Sequence, residues 1–225
     1  MKQKILFAVL LLVIFLLGGV LISKRSSEER MKASPVAQPS GVNGGTEKIA
    51  SKSAKVLAKP EMIIDPQKQY FAILKTELGE IKIKLSADKT PITVNNFVYL
   101  AQNNFYNETV FHRTIKGFMI QGGDPKGDGS GGPGYFFEDE DFEGEYTRGT
   151  VAMANAGPNS NGSQFFIMHE DYELPANYVI FGQVVEGMKT VDKIAEAPVE
   201  ANPQSGEMSK PVQPVKVVEV EIIEK

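Results

Sequence analysis

Between Phe111 and Asp124 the chain reads FHRTIKGFMIQGGD: an arginine, a histidine and a glutamine among large apolar side chains, followed by two glycines. No nucleophile accompanies them. Cysteine is absent, and Asn161-Gly162-Ser163-Gln164 lacks the glycines that a nucleophile elbow needs two residues either side of its serine. Metal chemistry is short of ligands, because neither histidine, His112 nor His169, has a ligand-like neighbour at helical or hairpin spacing. The stretch GDPKGDGSGG, Gly123 to Gly132, lacks the Lys-Ser/Thr ending of a phosphate loop.

What remains is a reaction that breaks no covalent bond. Rotation about a peptide bond faces a barrier of about 18–20 kcal/mol, and at X-Pro bonds both isomers are populated and exchange slowly. A catalyst need only bind the twisted amide better than either planar form. Twisting frees a lone pair on the prolyl nitrogen, and a guanidinium, charged at any relevant pH, can donate to it. Arg113 fits that task if an apolar pocket takes the ring and an amide holds a substrate carbonyl. The plain alternatives are an ion-paired surface arginine and, for Phe118, Met119 and Phe166, ordinary core. Parity favours a binding surface: Met119 and Gln121 share a face by the strand period of two, and Gly117 can break register and bring Phe118 to the same side. His112 is assigned packing and hydrogen bonding rather than proton transfer.

These residues need a scaffold. Tyr70–Thr76 and Glu80–Leu85 flank Leu78-Gly79, and EIKIKL alternates apolar with lysine, which predicts a hairpin with one wet face. Thr90-Pro91 predicts a helix start, with Phe97, Leu100 and Ala101 facing a core. A second helix fits Gly187 to Ala195, with Met188, Val191 and Ile194 three apart. Short strands fit Val110–Ile115, Met119–Gln121, Thr150–Ala154, Gln164–Met168, Val179–Val185 and Lys216–Ile223. Many strands and two helices predict a closed antiparallel barrel, a form without exposed edges. The acidic run Glu138 to Glu145, EDEDFEGE, misses the EF-hand spacing and is read as a wet loop.

The front of the chain is different. Ile5 to Ile22 is an uninterrupted apolar run of 18 residues, about 27 Å as a helix. It exceeds a usual signal-peptide core and ends without a small-x-small site, so residues 1–22 are expected as an uncleaved single-pass membrane anchor, a cleaved signal being the alternative. The domain is then expected outside the cytoplasm, although basic residues on both flanks leave the count of positive charge opposed to that orientation. Residues 23–69, with four prolines after Ser23 and no hydrophobic period, read as a flexible tether to a domain at residues 70–225. Charge divides at the same place, net +6 over residues 1–69 and net −10 over residues 70–225. An acidic domain argues against nucleic acid as a partner.

Three ordered blocks, FHRTIKGFMIQGGD, MANAGPNSNGSQFFIM (Met153 to Met168) and YVIFGQVVEGM (Tyr178 to Met188), resemble the cyclophilin family of peptidyl-prolyl cis/trans isomerases. The resemblance runs from Tyr70 to about Ile223. It implies a mainly β fold, an eight-stranded antiparallel barrel with two capping helices, and no cofactor or metal. It implies Arg113 as the catalytic arginine, with Phe118, Met119, Phe166 and Leu174 as walls of a proline pocket. Gln121 would orient the arginine and touch substrate, His112 would stand at the pocket edge, and Ala154, Asn155 and Gln164 would meet the peptide backbone and the neighbouring residue. Two positions depart from the family: Glu173 stands where many members carry a tryptophan before the pocket leucine, and Tyr178 where a histidine is frequent. An aromatic at 178 can still close the pocket. The implied partners are proline-containing polypeptides; a monomer is expected, and with the N-terminal anchor the expected role is assisting the folding of exported chains near the membrane. A Pro-peptide binding module without turnover, and a chaperone or envelope scaffold, are the alternatives.

Overall fold

Alternating apolar and charged side chains after Tyr70 build the first hairpin. In the computed structural model, which describes residues 56–225, β1 (Tyr70–Thr76) and β2 (Gly79–Leu85) pair across a two-residue turn that ends on the pair Thr76↔Gly79. Ala72, Leu74, Ile81 and Ile83 are fully buried, and Lys84 faces solvent. On the other edge of β1 lies β11 (Lys216–Glu224), paired antiparallel as its alternation predicts.

The remaining strands are β3 (Thr109–Val110), β4 (Arg113–Ile115), β5 (Met119–Gly122), β6 (Thr150–Met153), β7 (Phe165–Met168) and β8 (Ile180–Glu186). They complete one antiparallel sheet in the order β3-β11-β1-β2-β8-β6-β7-β5-β4. That sheet has nine strands rather than the eight implied above, because the expected single strand 110–115 is two. Phe111 gives its N–H to Val215 O (3.0 Å) and His112 gives its N–H to Gln121 O (3.0 Å). Consecutive residues thus serve opposite ends of the sheet, and a bridge between Val110 and Asp124 lies beside them. The sheet therefore curls, but among the described residues no ladder joins its end strands β3 and β4, so it is a curled half-barrel rather than the closed barrel expected. A separate ribbon, β9 (Val199–Ala201) with β10 (Met208–Pro211), was not expected from the sequence.

The helices sit where their punctuation places them: α1 at Pro91–Gln102 and α2 at Met188–Ala195. α1 buries Phe97, which stacks on Tyr106 (4.9 Å) and meets Phe165 edge-on (5.6 Å). Thr90 occupies the N-cap position, but its side chain does not cap; the Glu140 carboxylate accepts from Ile92 N (2.9 Å), Thr93 N (2.6 Å) and Thr93 Oγ1 (2.6 Å) instead. One member of the acidic run thus neutralises the positive end of a helix. α2 starts on Gly187 at φ 93°, where a Cβ would stand 2.2 Å from Glu80 O, so only glycine fits.

Strands β6 and β7 are buried on both faces, as runs such as FFIM require, and β5 is buried except at Gln121. Their alternate residues Ile120, Val151, Phe165 and Ile167 join the main core. Met119, Ala152, Phe166 and Met168 form a second apolar cluster with Tyr146 on the opposite face.

The expected anchor and most of the tether, residues 1–55, lie outside the described residues. Among the described residues no helix is long and apolar enough to cross a membrane. Residues 56–69, read from sequence as tether, are held to the folded unit. Leu57 N donates to Pro133 O (2.9 Å), Ile63 N donates to Asn95 Oδ1 (2.7 Å), and Asn95 Nδ2 donates to Glu61 O (2.9 Å). A segment without hydrophobic period is ordered here because α1 supplies an amide that satisfies its backbone.

Candidate active site

Sheet register assembles the site. Arg113 on β4 lies opposite Gln121 on β5, Gln121 opposite Phe166 on β7, and Phe166 opposite Ala152 on β6. Residues in one such row project from one face of the sheet. The next row sets Ile115 against Met119 and Met119 against Met168. A polar edge formed by Arg113 and Gln121 therefore borders an apolar floor of Met119 and Phe166, with Phe118, Ala154, Leu174 and Tyr178 half-buried around it. The turn at Gly117 (φ 79°) brings Phe118 to this side, its ring centre 5.9 Å from the Arg113 guanidinium carbon.

Polar contacts order the rim. Arg113 Nη1 donates to Gln121 Oε1 (3.4 Å), Gln121 Nε2 donates to Gln164 Oε1 (3.0 Å), and Gln164 Nε2 donates to Gly129 O and Gly131 O (2.9 Å each). The loop that receives this ladder is itself organised by Asp124, whose carboxylate accepts from Lys126 N (2.7 Å), Asp128 N (3.1 Å) and Gly129 N (2.6 Å). Gly123, at φ 82°, passes so close to Ser163 that a Cβ would stand 2.4 Å from its carbonyl oxygen. The paired glycines ending the opening motif therefore serve a close approach of backbone to backbone.

Aromatic side chains close the far side. Tyr146 Oη donates to Tyr178 O (2.9 Å) and accepts from Tyr178 N (3.1 Å), and both rings pack near Phe166. Tyr172 packs on Phe118 with ring centres 4.6 Å apart, while Glu173 is exposed. Asn155 spends its amide locally: Nδ2 donates to Asn177 O (2.8 Å) and Oδ1 accepts from Gly157 N (3.3 Å). Its side chain braces the approach to Tyr178. Asn161 is fully buried, with Nδ2 donating to Asp139 Oδ1 (2.7 Å).

His112 is buried beside Arg113, and among the described residues no side chain hydrogen-bonds to either ring nitrogen. Burial holds its pKa below the usual imidazole range; the Asp124 carboxylate opposes this and the Arg113 charge adds to it. Burial also pushes the Tyr146 and Tyr178 hydroxyls up. Each shift favours the neutral form of its group.

Two participants escaped sequence reading. Tyr146 carries no motif. Glu207, just ahead of β10, grips Arg113 from 94 residues away, with Oε2 accepting from Nε (2.7 Å) and Oε1 from Nη2 (2.9 Å). Burial pushes the Glu207 carboxyl up, but the hydrogen bonds and charge of Arg113 outweigh it and leave the pKa below the usual range. No periodicity or spacing in the sequence signals that pairing.

Comparison with known proteins bears on this arrangement. Residues 71–222 match the family described as cyclophilin type peptidyl-prolyl cis-trans isomerase/CLD. Peptidyl-prolyl cis-trans isomerase-like 3 of Gallus gallus is 48% identical over 132 residues, which is 56% of this chain and 82% of that protein. Probable peptidyl-prolyl cis-trans isomerase B of Mycobacterium tuberculosis is 40% identical over 188 residues, 76% of this chain and 60% of that one. A Cryptosporidium parvum cyclophilin type isomerase superposes with a TM-score of 0.63 at 36% identity, covering 70% of this chain and 99% of its own. The same protein has been crystallised in the presence of the dipeptide Ala-Pro, with a TM-score of 0.62.

Proposed function

The chain belongs to the cyclophilin-type peptidyl-prolyl cis-trans isomerase family, and from its isomerase activity we propose that Arg113 drives the rotation of X-Pro bonds. The proline ring rests on Met119 and Phe166, between Phe118, Leu174 and Tyr178. As the amide twists, its nitrogen pyramidalises and gains a lone pair, which an Nη1 hydrogen of Arg113 meets. That contact is stronger in the twisted state than in either planar one, and only such a difference lowers the barrier. Gln121 keeps the guanidinium in place and offers its amide to the substrate carbonyl. Nothing in this mechanism requires a cofactor.

The observation that carries the reading is the sheet row Arg113, Gln121, Phe166, which joins a fixed cation to an apolar seat. The Ala-Pro dipeptide used with the Cryptosporidium parvum relative supports proline-containing polypeptides as the substrate class. The test is cis-to-trans exchange of an Ala-Pro peptide, followed by NMR on the full chain. Arg113→Ala is expected to lose about 10²–10³-fold in kcat/KM with an unchanged melting profile. Wild-type turnover in that variant would remove Arg113 from the mechanism.

From the apolar run at residues 5–22 we further propose that the domain, as a monomer, is anchored on the extracytoplasmic face of a membrane and acts on exported chains. Alkaline extraction and protease protection of intact cells test it. Release of the full-length chain by alkali, or protection of the domain in intact cells, would overturn that placement.

A further inference from the structure

The ribbon β9–β10 has a feature that the mechanism above leaves unused. Its turn is tightly tied: Asn202 Oδ1 accepts from Gln204 N (2.8 Å), Gly206 N donates to Asn202 O (2.7 Å), and Asn202 N donates to Glu207 O (2.7 Å). β10 lies against β4, the strand that carries Arg113. The result is a backbone anchor for Glu207 beside the guanidinium. Both partners are withdrawn from water, with side chains 31% exposed for Arg113 and 23% for Glu207.

We infer that Glu207 is a positioning residue for the isomerisation, fixing the plane of the Arg113 guanidinium so that its Nη1 edge faces the groove. The inference rests on the reading of Arg113 as the group that meets the twisted amide. A guanidinium is a rigid plane with five N–H donors. Glu207 takes one from Nε and one from Nη2, and Gln121 takes one from Nη1. Two edges are thereby held from opposite sides, by β10 and by β5. The second Nη1 hydrogen points to Met119 Sδ at 3.9 Å, a weak acceptor on the floor of the groove that a substrate nitrogen displaces. Gln121 alone, at 3.4 Å, is a long contact and would leave the plane free to rock. The forked carboxylate is the stronger restraint, and a lysine at 113, with a freely rotating ammonium, could not use it.

A carboxylate on a catalytic cation could instead act as a latch that substrate must displace. The geometry favours positioning, because the charged fork takes Nε and Nη2, while Nη1 makes only the long contacts to Gln121 and Met119.

The test compares the full-length wild type, Glu207→Gln, Arg113→Ala and the double variant, all with an Ala-Pro peptide. Glu207→Gln keeps the shape of the side chain but breaks the charged fork. It is expected to lower kcat about tenfold, the order seen when an orienting partner is removed, with KM within about twofold of wild type, since the apolar seat is untouched. In the Arg113→Ala background it is expected to add nothing. The Arg113 Nε–H resonance provides a readout independent of turnover: it exchanges slowly with water in the wild type and rapidly in Glu207→Gln. Loss of activity in Arg113→Ala with wild-type kcat in Glu207→Gln would overturn the positioning role alone. A faster Glu207→Gln would make the pair a latch and overturn it as well. Wild-type activity in Arg113→Ala would overturn the reading on which the inference stands. A rapidly exchanging Nε–H in the wild type would overturn the fork itself.

Discussion

Gln121 and Gln164 join two strands through their side-chain amides, Nε2 of the first donating to Oε1 of the second at 3.0 Å. Because each amide is both donor and acceptor, the pair passes orientation from Arg113 to the carbonyls of Gly129 and Gly131. Gln164→Ala removes the middle of that ladder and leaves two loop carbonyls without their donor. The expected result is a loss of about tenfold in kcat/KM together with faster hydrogen exchange at Gly129 N–H. Unchanged exchange and unchanged turnover would show that the ladder orients nothing.

Tyr146 holds the backbone of Tyr178 by two hydrogen bonds through one hydroxyl. Tyr146→Phe keeps the ring in the apolar cluster and removes only that clamp. A stability loss of about 1 kcal/mol is expected in urea titration, with a rise in KM as the Tyr178 wall loosens. Wild-type KM would show that the clamp does not shape the groove.

Glu140 supplies the N-terminal cap that Thr90 does not. Glu140→Ala is expected to cost about 1–2 kcal/mol, and Glu140→Gln, which retains one acceptor, to cost less. Turnover per folded molecule stays at the wild-type level, since the cap lies outside the groove. Equal stability of Glu140→Ala and wild type would refute the cap.

His112 makes the groove sensitive to acid. The folded protein disfavours its imidazolium through burial, aided by Arg113 and resisted by Asp124, so the unfolded chain binds that proton more readily. Stability contributed by the neutral ring is present above the ordinary imidazole value of about 6.5 and is lost as pH falls from there toward the depressed folded-state value. Urea titrations from about pH 7 to about pH 5 should show this slope in the wild type and a shallower one in His112→Gln. An identical slope in both proteins would assign the acid sensitivity elsewhere.

The strands and helices were legible from local pattern. EIKIKL gave itself away by alternation, Thr90-Pro91 by helix punctuation, and FFIM by the absence of any polar face. Arg113 and Gln121 were linked by the family resemblance, and the β4–β5 register sets them opposite each other. The expected strand 110–115 failed at Phe111 and His112, whose N–H groups go to partners at opposite ends of the sheet. No composition reports such a division. Residues 56–69 looked like tether for a related reason: their order comes from Asn95 on a distant helix and not from a core-facing period of their own.

By itself the sequence determined the mainly β class, the two helices and most of the strands, carried by periods of two or 3.6 residues and by turns that act over a few positions, and it showed the arginine-centred motif through residue chemistry and family resemblance. Tertiary structure alone decided which groups complete the site: Glu207 on the guanidinium, Tyr146 behind Tyr178, Glu140 on the helix and the amide of Asn155 turned to bracing. Those contacts join residues 22 to 94 positions apart. Their partners are chosen by how the curled sheet brings its edges and loops together, a choice that leaves no periodic trace along the chain.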